Sequence, residues 1–167
     1  VNDLLHFTSD RAPQLQPCSL RRLVEDLTAS LAPQFSAQAI DAVLDVSEDH
    51  CVLADREMLR RAVLNLVFNA LDAMQDGGTL TLRSRAAGHG IVLEIADSGH
   101  GLDQDSLPRV FEPFFTTKQG GTGLGLAIVS RIAEAHGGSV TARNLREGGA
   151  AFALCLPTAA RLGTVAA

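Results

Sequence analysis

From Leu20 onward, Leu23, Val24, Leu27 and Leu31 follow at three- and four-residue intervals, the spacing that lines one face of a helix, with Ser19 before them as a capping hydroxyl. Pro33 is expected to disturb the last turn of this helix, because proline lacks the N–H that a helix interior uses. The strongest helical signal follows Asp55, an N-cap residue. Leu59, Ala62, Val63, Leu66, Val67, Ala70, Leu71 and Met74 form one apolar stripe that closes at Gly77-Gly78. A third helix is predicted over 126–136, stopped by Gly137-Gly138. Strands are predicted over 40–46 and 51–54 around the turn Ser47-Glu48-Asp49. Leu80 and Leu82 alternate in a further strand, and Ile91, Leu93 and Ile95 in the next, joined by Gly88-His89-Gly90. Two more, 139–143 and 150–156, flank Glu147-Gly148-Gly149. Ahead of all these, residues 1–9 are a short amphipathic piece, and two prolines within 12–17 break any helix. Strands alternating with three long helices imply a sheet covered on one face, a two-layer α/β (α+β) sandwich.

Composition agrees with a single core. The chain has 167 residues, 46% of them hydrophobic and 20% charged, which excludes a largely disordered polymer. Nineteen acids against 14 bases give a net charge of −5, so no basic field exists to hold nucleic acid. Trp and Tyr are absent and three of the seven Phe crowd into 111–115, which also removes stacking platforms for single strands. The longest apolar run, 150–156, is too short to span a bilayer. The chain opens at Val1 without a charged-then-apolar leader and is read as a piece of a longer protein, cytoplasmic and with no membrane contact of its own. Cys18, Cys51 and Cys155 are odd in number and free of any CxxC, so they read as small packing residues rather than a disulfide or zinc framework. His50, His89 and His100 fall in turns. His136 precedes a helix stop, where a cation suits the helix dipole.

Three constellations carry chemistry. On the long helix Asn65, Asn69 and Asp72 lie at i, i+4 and i+7 and form a polar stripe beside the apolar one. Asn is a mediocre helix former, and an amide oxygen suits a Mg²⁺ that already carries phosphate; a solvated helix edge accounts for the stripe equally well. Next, Asp97 continues the parity of Ile91, Leu93 and Ile95, so its carboxylate faces the core side at the strand end. A buried carboxylate needs donors, and an exocyclic amine such as adenine's is one; a tight turn with an incidental Asp is the plain alternative. An EF-hand is excluded, since Gly99 and Gly101 stand where oxygen ligands belong. Third, Lys118 is followed by Gly120, Gly121, Gly123 and Gly125 at the mouth of a helix, an anion cradle with a point charge beside it. No Gly-Lys-Ser/Thr follows and FEPFFTTK rather than a strand precedes, which excludes Walker A and Rossmann loops. A single glycine loop carries little; three such sites in this order carry much more.

Taken together, these segments resemble a known family. Asn65-Leu-Val-Phe-Asn69-Ala is similar to the N box of sensor histidine kinases, and Asp97-Ser-Gly99-His-Gly101 to their G1 box. Phe111-Glu-Pro-Phe-Phe115 resembles the F box, and Gly121-Thr-Gly123-Leu-Gly125-Leu the G2 box. The run 111–129 is most similar to nitrogen-regulation-type kinases. The resemblance implies the Bergerat (GHKL) ATP-binding fold, a mixed, mostly antiparallel sheet with about three helices on one face. It implies ATP and Mg²⁺ as cofactors, with Asn69 on the metal and Asn65, Asn69 and Lys118 catalytic. It further implies nucleotide contacts from Asn65, Asn69, Asp72, Asp97, Gly99, Gly101, Thr116, Thr117, Lys118, Gly121, Thr122, Gly123, Leu124 and Gly125. Residues 13–157 would be the catalytic ATP-binding domain, 1–12 the end of a dimerisation hairpin and linker, and 158–167 a flexible tail. The implied partners are the dimerisation domain that carries the phosphoacceptor histidine and a downstream response regulator; the fragment alone is expected to be a monomer.

Two departures qualify the resemblance. Ala73 and Met74 offer only aliphatic contact where many such kinases stack an aromatic ring near adenine, and His6, followed by Phe7, lacks the phosphoacceptor context. The related gyrase, heat-shock chaperone and mismatch-repair ATPases resemble Glu-x-x-x-Asn, whose Glu activates water. Asn65 in that position has no basicity, which favours transfer to a histidine over hydrolysis; an ATP-driven conformational ATPase and a nucleotide sensor without catalysis are the alternatives. Around the glycine loop, residues 116–123 are expected to be mobile without nucleotide, with Phe114 and Phe115 as the hinge anchor.

Overall fold

The computed structural model describes residues 11–88 and 90–158; the expectations for 1–9, for His89 and for the tail from 159 lie outside them. The elements run β1 Gln16–Ser19, α1 Leu20–Ala37, β2 Ile40–Asp45, β3 Cys51–Ala54, α2 Arg56–Ala73, β4 Gly78–Ala87, β5 Gly90–Asp97, a single 3₁₀ turn Leu107–Arg109, α3 Gly125–Ala135, β6 Ser139–Asn144 and β7 Ala150–Pro157. Five strands form one sheet in the order β2-β4-β5-β7-β6. The β2–β4 pair is parallel, and the other three pairs are antiparallel. The helices cover the face that carries Leu80, Leu82, Leu93, Ile95, Phe152 and Leu154, all buried with Leu59, Leu66, Leu71 and Ile128 in one core. Among the described residues no helix is long and apolar enough to cross a membrane.

The expected strands and helices form, with two differences in pairing. Strands β2 and β3 do not pair with each other. β4 takes the edge of β2 in parallel, which requires a crossover, and the chain makes that crossover through β3 and α2. β3 pairs instead with β1, an antiparallel ribbon with Cys18 opposite Val52 that builds a strand where two prolines suggested only a break. Cys18 is buried there, and burial pushes its thiol up from the usual value. Pro33 does not end α1 either, because Phe35 beyond it is 6% exposed. Burying that ring, worth about 1.5–3 kcal/mol, offsets most of the missing hydrogen bond.

His136, at the end of α3, is not a cation on the dipole. Its buried ring places Nδ1 2.7 Å from the Ile132 carbonyl, and Nε2 accepts the Asp55 backbone N–H at 3.0 Å, so the partners assign a neutral ring protonated at Nδ1. This links the C-terminus of α3 to the N-terminus of α2. There Asp55 accepts from the N–H groups of Glu57, Met58 and Gln14, and Arg11 pairs with it at 2.6 Å.

Among the described residues no helix covers the sheet's other face, yet Glu94 on central β5 is 6% exposed. Arg83 donates to its Oε1 from Nε (2.8 Å) and Nη2 (2.5 Å), and Arg143 donates to its Oε2 at 3.0 Å. Burial alone would raise this carboxyl, but the two guanidiniums together hold it below the usual value. A depressed carboxyl contributes stability that is present above its unfolded pKa and lost as pH falls through the folded one. Glu94→Gln is expected to cost about 1–3 kcal/mol in urea unfolding near neutral pH, the half-exposed arginines moderating the loss. The deficit should shrink in acid. A deficit independent of pH would show that packing, not charge, is what Glu94 supplies.

Candidate functional site

The site is a cleft of about 790 Å³ bounded by α2, the loop after β5 and the segment that leads into α3. Its first wall follows from the two stripes of α2. Leu66, Val67, Ala70 and Leu71 turn into the core, which leaves Asn65, Asn69 and Asp72 on the neighbouring face, lining the cleft. Asn65 Nδ2 donates to the Gly125 carbonyl at 3.2 Å and so ties α2 to the start of α3.

The second wall is the end of β5. Asp97 lies opposite Leu80 on the helix-covered face and is 4% exposed. Its Oδ1 accepts the backbone N–H of Gly99 (2.9 Å) and of Ala150 (3.3 Å), and among the described residues Oδ2 has no hydrogen-bond partner. Burial raises this carboxyl above its usual value, against the two backbone donors that pull it down. Gly99 lies against the end of α2, where a Cβ would stand 2.3 Å from the Ala73 carbonyl oxygen, so no other residue fits without moving the loop off the helix.

The third wall is the glycine segment. Phe114 N–H donates to Gly123 O at 2.9 Å, Gly121 N–H to Lys118 O at 3.2 Å, and Lys118 N–H to Thr116 Oγ1 at 3.1 Å. Gly123 has φ +68°, and a Cβ there would meet the Phe114 backbone at 2.4 Å. Lys118 Nζ reaches across to α2 and donates to Asn69 Oδ1 (3.0 Å) and Asp72 Oδ2 (2.8 Å). An amide oxygen and a carboxylate oxygen therefore already hold a cation, and such hard oxygen donors also suit Mg²⁺. Leu124, the residue before α3, makes no side-chain cap, and uncapped N–H groups at a helix start suit an anion.

Of the residues singled out in the sequence, Asn65, Asn69, Asp72, Asp97, Gly101, Thr116, Thr117, Lys118, Gly121, Thr122, Gly123 and Gly125 line this one cleft. Gly99 and Leu124 do not. Gly99 supports Asp97 from behind, and Leu124 is buried in the core. The expectation that Phe114 anchors the glycine segment by its ring is corrected: the residue is 65% exposed and holds the loop through its backbone at φ +66°. Phe115 is the anchored ring, with the Arg109 guanidinium 4.5 Å above its centroid. Of the two aliphatic residues at the end of α2, Ala73 lines the cleft and Met74 is buried; the cleft is also lined by a residue the sequence did not single out, Phe68, at 39% exposure. Its place directly before Asn69, beside the polar stripe, is the signal that could have found it.

Compared with known proteins, residues 54–160 match the family described as histidine kinase-, DNA gyrase B-, and HSP90-like ATPase. The sensor histidine kinase ZraS of Escherichia coli O157:H7 is 42% identical over 94% of this chain and 34% of its own. The chain spans about a third or less of the length of the curated relatives it matches, from 35% down to 16%. Full-length ShkA in complex with AMPPNP is similar with a TM-score of 0.84 and 33% identity, over 93% of this chain and 34% of that one. The catalytic domain of histidine kinase ThkA gives a TM-score of 0.81 and 28% identity over 87% of this chain and 96% of that one. ThkA in complex with the response regulator protein TrrA gives 0.82 and 26% over 94% and 46%.

Proposed function

Because this chain belongs to the histidine kinase-, DNA gyrase B-, and HSP90-like ATPase family, we propose that it binds Mg-ATP in the cleft and transfers the γ-phosphoryl group to a histidine on a separate dimerisation domain. The observation that carries the reading is one cleft with a buried carboxylate, Asp97, at one end and the cation-holding pair Asn69 and Asp72 beside the uncapped start of α3 at the other. That spacing of chemistry suits a base with an exocyclic amine and a polyphosphate with its metal. The AMPPNP complex of ShkA supports the nucleotide class, and the ThkA complex with TrrA supports a response regulator as the downstream partner.

In this reading Asp97 Oδ2 accepts from the adenine amine, and Phe68 gives the base or ribose an apolar wall. Asn69, with Asn65 and Asp72 near it, would hold Mg²⁺, which neutralises charge on the phosphates when bound. Lys118, released from Asn69 and Asp72, and the backbone of Gly121, Thr122, Gly123 and Gly125 contact the phosphates, with Thr116 and Thr117 at the start of the glycine segment. Gly99 and Gly101 shape the loop that carries the base end. Asn65 is an amide already donating to Gly125 O and has no proton affinity to activate water. Transfer to an incoming imidazole therefore outcompetes hydrolysis. Residues 13–157 are the catalytic domain, and 1–12 lead in from the dimerisation hairpin.

The test is incubation with γ-labelled ATP, with and without a supplied dimerisation domain. Acid-labile label is expected on that domain only, with no label on this chain and no steady phosphate release. Asn65→Glu should introduce release by restoring a base. Rapid turnover by the unsubstituted chain would favour the conformational ATPase; nucleotide binding with no transfer to any dimerisation domain would favour a sensor.

A further inference from the structure

The turn between β6 and β7 lies outside the cleft, yet several of its groups bear on the carboxylate end. Asn144, the last residue of β6, holds Leu102 by both backbone groups. Its Nδ2 donates to Leu102 O at 2.6 Å, and its Oδ1 accepts Leu102 N–H at 2.8 Å. A side-chain amide here does what a neighbouring strand's peptide would do, for a loop that pairs with no strand among the described residues. Two glycines bring the turn close enough. A Cβ on Gly149, at φ +90°, would stand 1.9 Å from the Asp97 carbonyl oxygen, and one on Gly101 would stand 3.0 Å from Asn144 Oδ1. Next to them, Ala150 N–H donates to Asp97 Oδ1 at 3.3 Å. Leu102 lines the cleft and Asn144 does not.

We infer that Asn144 is a positioning residue for base recognition: by clamping Leu102 to the same hairpin that supports Asp97, it sets the distance between a second apolar wall, the Leu102 side of the cleft, and the carboxylate that reads the base. This rests on the reading that the cleft takes an adenine nucleotide. Without the clamp, the backbone at Leu102 regains its freedom, and a wall displaced by about 1 Å no longer presses the base onto Asp97. The phosphate end, built from α2 and the glycine segment, is untouched by the change.

Calorimetric titration of the whole chain with ADP, ATP and GDP, together with thermal melts, tests this. Asn144→Ala is expected to bind ADP and ATP about tenfold more weakly, in an unchanged ratio to each other, and to lose about tenfold of the preference for ADP over GDP. Asn144→Asp keeps the bond from Leu102 N–H and loses the one to Leu102 O, so it should fall between the two, which also serves if the alanine variant does not fold. Wild-type ADP affinity and base preference in both variants would overturn the inference. So would equal losses for ADP and GDP that track a lowered melting temperature, since these mark a structural role alone. Absence of nucleotide binding by the unsubstituted chain would instead overturn the reading of the cleft.

Discussion

Asp97→Asn is expected to weaken adenine nucleotide binding about 100-fold or more while leaving the protein at least as stable near neutral pH. The two effects have one origin. Asp97 is 4% exposed and its Oδ1 accepts two backbone N–H groups, an arrangement that an Asn side chain reproduces with its amide oxygen. The second oxygen, directed to the ligand in our reading, becomes an NH₂ group. It then meets the exocyclic amine donor to donor, and a buried polar mismatch of this kind discriminates by orders of magnitude. Stability moves the other way. Burial raises the Asp97 carboxyl above its usual value. A raised carboxyl contributes stability that is fully present below its unfolded pKa and is lost as pH rises through the folded one, because the buried group must then ionise. The amide has no charge to bury. In melts from about pH 4 to about pH 8 the variant should therefore gain on the unsubstituted chain as pH rises. Titration with ADP gives the other half. Native ADP affinity in Asp97→Asn would remove Asp97 from the base site, and a variant that melts lower at neutral pH would show that its backbone contacts need the charge.

Much of this site was readable in the order of residues because it depends on local periodicity. The stripe of Asn65, Asn69 and Asp72 is visible against the apolar one, since a helix converts spacing into faces whatever surrounds it. Asp97 follows from strand parity in the same way. What escaped were features created by residues far apart in sequence. β1 has four residues and no pattern of its own; only the edge of β3 makes it a strand. The separation of β2 from β3 depends on β4, more than 30 residues on, arriving in parallel. His136 reads as a helix-end cation until Asp55 is brought to its Nε2, which requires a neutral ring. Asn144 looks like an ordinary residue before a turn, and its clamp on Leu102 exists only because the hairpin folds over the loop after β5. Phe114 misled for another reason: as a large apolar residue it suggested an anchored ring, whereas its positive φ commits the backbone to Gly123 and leaves the residue exposed.

Asn69→Ala is expected to remove the magnesium dependence of nucleotide binding and to lower affinity for the Mg-nucleotide about 100-fold. Asn69 Oδ1 accepts from Lys118 Nζ at 3.0 Å, and Asp72 Oδ2 takes the same ammonium at 2.8 Å. In our reading a cation arriving with phosphate would compete with Lys118 for these oxygens, and the displaced ammonium would then be free to meet the phosphates. Alanine deletes the amide oxygen that shares a cation with Asp72; what remains is the exposed Asp72 carboxylate and Asn65, whose amide is tied to Gly125 O, too few ligands to hold a metal firmly. The fold should survive the change. Asn69 lies beside the apolar stripe rather than in it, and alanine favours a helix interior by up to about 0.7 kcal/mol over such residues. The measurement is calorimetric titration with ADP, once with excess Mg²⁺ and once with chelator. The unsubstituted chain should bind far more tightly with the metal, and the variant should bind alike in both. Asp72→Asn, which keeps an oxygen in place but removes its charge, should retain part of the metal effect and loosen Lys118. If Asn69→Ala binds the Mg-nucleotide with near-native affinity, the metal is held elsewhere, and the contact between Lys118 and α2 is only a surface ion pair worth about 0–1 kcal/mol.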